Sequence, residues 1–97
     1  MKVGVCKVRL RIPENESLKG KRRALKSLTT RTANKFNVSI AEVEDQELWQ
    51  LATIGFSYVG NDASHVNQVL SRVVNFIGYM RGDMEMLDYE IEILDAL

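Results

Sequence analysis

The chain has 97 residues, of which 45% are hydrophobic and 27% charged, with one proline and six glycines. This is the composition of one globular domain spanning residues 1–97, since a chain this short buries roughly 60 to 65% of its unfolded surface around a single core. It excludes disordered, collagen-like and membrane-spanning classes, and a lone cysteine, Cys6, excludes an internal disulfide and a thiolate zinc site.

The formal net charge is zero, but eleven of the 13 Lys and Arg lie in residues 1–36 against only Glu14 and Glu16, a segment charge of +9 balanced by −9 over residues 37–97. Such asymmetry marks either a nucleic-acid patch or two elements that pair with each other. The opening MKVGVCKVRLRI sets Lys and Arg among its apolar positions and has no small-residue cleavage site. A cytoplasmic protein with no signal peptide and no membrane partner is therefore expected.

From Lys2 to Pro13 the alternation of Gly4, Cys6, Val8, Leu10 and Ile12 with Val3, Val5, Lys7, Arg9 and Arg11 predicts a strand with one buried face. Ser17 is a candidate N-cap, and Leu18, Leu25, Leu28, Thr32 and Phe36 recur at helical spacing, predicting helix one up to Phe36, closed by Asn37. Val38–Glu44 and Leu51–Gly60 read as two strands of a hairpin. Asp62 caps a second helix whose apolar stripe is Val66, Val69, Leu70, Val73, Ile77 and Met80. A turn at Arg81, Gly82 and Asp83 leads to a last strand, in which Leu87, Tyr89, Ile91 and Ile93 alternate with Asp88, Glu90, Glu92 and Leu94.

The order β-α-β-β-α-β is the split βαβ unit. It predicts an α+β, ferredoxin-like sandwich: a four-stranded antiparallel sheet of order 4-1-3-2 with both helices on one face. Strands one and three are expected to be central and parallel to each other. Lys7, Arg9 and Arg11 are expected on the open face, opposite Asp88, Glu90 and Glu92 of strand four.

The segments Pro13–Arg22, Phe36–Gln50 and Ser57–Val66, and within them SLKGKR and DQELWQ, resemble the YlxP-like family of small uncharacterised bacterial proteins over nearly the whole chain. The resemblance implies a ferredoxin-like fold, no established catalytic activity, and genes that often sit among those for translation and transcription factors. It supplies no active site to transfer.

Helix one carries the main functional signal. Lys19, Arg22, Arg23 and Lys26 gather on one flank at 100° per residue, with no Asp or Glu in the helix, whereas solvated helices interleave both signs. Lys21 falls in the apolar arc and is expected to snorkel, its ammonium emerging beside that flank. These five residues are the candidate contacts to the phosphates of structured RNA or the ribosome; the competing reading is a solvated face partly answered by carboxylates of neighbouring elements.

The other constellations are weaker. The run Gly55–Val59 resembles the RNA-recognition-motif signature, but Phe56 and Tyr58 are needed to fill the core. His65 beside Asp62 has the form of a base with its orienting acid, yet no nucleophile accompanies it. Glu42, Glu44, Asp45 and Glu47 match no cation loop, so neither metal nor cofactor is expected. Cys6 is expected buried and inert. Trp49 either caps the core edge or joins Asp45 and Gln46 in a partner surface. The sequence thus leads to a non-catalytic accessory protein that binds RNA or the ribosome through helix one. The alternative is a protein-interaction or regulatory module, a homodimer formed through strand two or the sheet face.

Overall fold

The structure, a computed structural model, describes all of residues 1–97. Its elements are β1 (Lys2–Arg11), α1 (Leu18–Lys35), β2 (Ser39–Glu44), β3 (Leu51–Gly60), α2 (Ala63–Met80) and β4 (Glu85–Asp95). They form one sheet of order β2-β3-β1-β4, the ferredoxin-like arrangement expected from the element order.

The sequence reading of β1 and β3 as parallel is corrected, because the two pair antiparallel, with Lys2 opposite Gly60 and Arg11 opposite Leu51. The reason is directional: the α1 crossover returns β2 parallel to β1, and the hairpin then reverses β3. Helix one also ends one residue early. Phe36 is its C-cap, extended at φ −123° and donating its N–H to the Thr32 carbonyl, and its ring meets Phe76 of α2 edge-on at 5.5 Å.

One core lies between the sheet and the helices. β1 contributes Cys6, Val8 and Leu10, β3 contributes Ala52, Ile54 and Phe56, and the helices add Leu25, Leu28, Val66, Leu70, Val73 and Ile77. Each fully buried aliphatic is worth about 1.5–3 kcal/mol relative to exposure. α2 crosses β1 so closely that a Cβ on Gly4 would lie 2.5 Å from Val66 Cγ1 and 2.6 Å from Leu70 Cδ1, so the approach requires glycine.

The open face of the sheet carries the charged rows. Lys7 lies opposite Glu90 and Arg9 opposite Asp88, as the alternation predicts. A bulge at Leu87 then shifts the register, which pairs Leu10 with Met86, sets Arg11 opposite Glu85 and leaves Leu87 exposed rather than buried. Glu92 lies opposite Val5, so the expected three-rung ladder is corrected to one contact, Arg9 to Asp88 at 3.6 Å. Lys7 turns the other way and bonds Glu44 of β2 at 2.9 Å.

Candidate nucleic-acid interface

Helix one is built against its own electrostatics. Ser17 caps it by accepting the Gly20 N–H at 3.0 Å, but its first turn holds no acidic residue. Lys19, Arg22 and Arg23 instead crowd the end where the peptide dipoles already place positive charge, and each such cation costs a few tenths of a kcal/mol. All three, together with Lys26, are exposed and make no ion pair within the chain, whose ion pairs are Lys2–Asp95, Lys7–Glu44, Arg9–Asp88 and Lys21–Glu42. No carboxylate of a neighbouring element lies within 4.0 Å of Lys19, Arg22, Arg23 or Lys26. Further along the helix, Lys35 sits over the Phe76 ring at 5.6 Å.

Lys21 is a correction. Its side chain is fully buried, and its ammonium points inward, 2.8 Å from Oε2 of Glu42. It also donates to the carbonyls of Asp45 and Leu48, at 2.5 and 2.7 Å. The stem lies over the core as expected, but the ammonium does not emerge, because Glu42 alternates with Ile40 on the helix-facing side of β2 and draws the charge in. Lys21 is therefore unavailable to a phosphate, and four cations remain. The lysine is the charged partner of Glu42 Oε2, which has no other hydrogen-bond partner.

The same lock organises the β2–β3 loop. Asp45 takes a positive φ of 63°, its Oδ2 accepts the Thr53 hydroxyl at 2.7 Å, and its carbonyl accepts Leu48 N–H. Asn15, ahead of α1, donates one amide to the carbonyls of both Ser17 and Trp49, while the Gln50 amide returns a bond to the Asn15 carbonyl. Gly20 makes room for this bridge, since a Cβ there would lie 2.6 Å from Asn15 Oδ1. The loop is thus stapled to the start of α1. Asp45 is spent on the staple, whereas Gln46 and Trp49 are exposed.

The remaining groups are structural. Asp62 caps α2 by accepting the His65 backbone N–H at 2.9 Å, so it does not orient the imidazole, whose Nε2 lies 3.2 Å from the Tyr58 hydroxyl. Phe56 is buried in the core. Glu42, Glu44 and Asp45 diverge to Lys21, Lys7 and Thr53. Burial pushes the Cys6 thiol up to about 11, and the hydrogen bond that Lys7 donates to Glu44, then the charge of Glu44, raises Lys7 above its ordinary value. The open face also holds a groove of about 820 Å³ beside Gly55, lined by Lys7, Ala41, Val43 and Glu44 among others. No helix is long and apolar enough to cross a membrane.

Residues 3–91 match the family described as Protein of unknown function (DUF503). The Uncharacterized protein YlxP of Bacillus subtilis (strain 168) is 39% identical over 75 residues, covering 77% of this chain and 82% of that protein. Among solved structures, the de novo designed protein Foldit4 superimposes over the full length of both chains with a TM-score of 0.53 at 15% identity, a likeness of fold alone.

Proposed function

We propose, for a chain that belongs to the DUF503 family and resembles YlxP, a non-catalytic cytoplasmic accessory role: binding structured RNA or the ribosome through the exposed flank of α1. The observation that supports this most is the set Lys19, Arg22, Arg23 and Lys26, four cations on one flank with no ion pair in the chain. Phosphates supply the missing counter-charge and release condensed cations from the RNA as they do so. The double reversal Arg22→Glu/Arg23→Glu tests it. Filter binding is expected to show a loss of affinity for all RNAs alike, with folding stability within about 0.5 kcal/mol of the native protein, as for surface sites. Unchanged affinity would remove the reading.

Self-association is the second reading, favoured by exposed Val43, Val59 and Leu94 on the open sheet face and by the uncovered β2 edge. Light scattering at micromolar concentration distinguishes it: a homodimer has twice the 11.0 kDa of the chain.

A further inference from the structure

Trp49 is the single tryptophan and is 53% exposed, on a loop whose backbone is held at Asp45, Leu48, Trp49 and Gln50. None of those bonds uses the indole. A large aromatic ring left half in water on a fixed backbone is the kind of side chain that anchors binding surfaces. It borders an open recess of about 450 Å³ lined by Arg11, Leu48, Trp49, Gln50 and Leu51, with no carboxylate in the lining. Arg11 is exposed and makes no ion pair, although Glu85 lies opposite it across the strands.

We infer that Trp49 and Arg11 form a stacking site for an unpaired base of single-stranded RNA, continuous with the phosphate-binding flank of α1. The inference rests on the RNA reading above and names the kind of RNA. Continuity follows from the Asn15 amide, which bonds both the Ser17 carbonyl at the α1 cap and the Trp49 carbonyl. A strand whose phosphates lie along Lys19 and Arg23 reaches the indole past that bridge, where the exposed Glu14 and Glu16 flank Asn15. An aromatic face beside unpaired cations suits a polymer that alternates bases with phosphates, because every base has a face to stack.

The experiment follows Trp49 emission while a single-stranded oligoribonucleotide or an RNA duplex of equal length is titrated at low salt. The single strand is expected to quench the indole, and the duplex to bind, by anisotropy, without quenching. Trp49→Ala is expected to lower single-strand affinity about 5- to 140-fold, the equivalent of about 1–3 kcal/mol per stacked base, with duplex affinity unchanged. Trp49→Phe restores most of the loss. The Trp49 carbonyl that Asn15 holds is backbone, so both variants keep the staple.

RNA binding with no quenching and no effect of Trp49→Ala overturns the stacking site and leaves the α1 reading standing. Absence of binding by any RNA overturns both. A blue shift that grows with protein concentration in the absence of RNA, with a doubled mass, assigns Trp49 to a self-interface and overturns the inference.

Discussion

Lys21→Met isolates the lock between α1 and the β2–β3 loop. Methionine preserves the buried stem and deletes the ammonium, leaving the Glu42 carboxylate without its charged partner, the Leu48 carbonyl without a donor and the Asp45 carbonyl with the Leu48 N–H alone. Removing one member of a buried ion pair costs about 3–5 kcal/mol. The Glu42 side chain is 20% exposed, so water relieves part of this and the lower end applies. The two carbonyls lie in a loop that water reaches, adding at most about 1 kcal/mol each. A loss of about 3 kcal/mol corresponds, for a domain of this size, to a fall in Tm of roughly 12–24 °C. Urea unfolding and thermal melts measure both. The double variant Lys21→Met/Glu42→Leu is expected to recover most of the loss, because an apolar replacement of both partners leaves no stranded charge. A single variant costing under about 1 kcal/mol, or a double no better than the single, refutes the account of the lock.

The remaining predictions concern the sheet. Gly4→Ala forces a Cβ to within 2.6 Å of two fully buried side chains and is expected to cost about 1–3 kcal/mol, read as a lowered urea midpoint with unchanged slope. The Cys6 thiol keeps its proton to about pH 11 in the native state, whereas the unfolded chain loses it near 9. Stability therefore falls with rising pH between those values and is unaffected by Cys6 below them; Cys6→Ala removes that part of the alkaline slope, and iodoacetamide at pH 8 labels the native thiol far more slowly than the unfolded one. Arg9→Glu sets a carboxylate beside Asp88 and is expected to destabilise by about 0.5–1 kcal/mol at low salt, an effect that 1 M salt largely removes in thermal melts.

Much of this architecture is written in local periodicity. The alternation from Gly4 to Ile12 identifies β1 and its buried face, and the helical stripe from Val66 to Ile77 identifies α2, because a repeat of two or 3.6 follows from backbone geometry alone. Features that depend on pairing between distant segments are less legible. The bulge at Leu87 arises from how β4 meets β1, and nothing in the Leu87–Leu94 alternation marks it. The staple of Asn15 onto Trp49 joins residues 34 apart and has no sequence period. The Lys21–Glu42 pair lies between these cases. A lysine in the apolar arc of a helix and a glutamate in phase with Ile40 on the covered face of a strand are each anomalous, and together they identify a buried pair. Of the five residues proposed to meet phosphate, the four on the flank are exposed and Lys21 is buried.

The central claim is that the α1 flank meets phosphate, and the salt dependence of RNA binding by the native protein tests it most directly. With four cations engaging three or four phosphates, the logarithm of the binding constant should fall against the logarithm of salt concentration with a slope of roughly −2 to −3.5, at about 0.7 to 0.9 per phosphate. Arg22→Glu/Arg23→Glu should flatten that slope by about 1.5 or more. A slope near zero, or no RNA binding at low salt, contradicts the claim and leaves the flank as solvated surface.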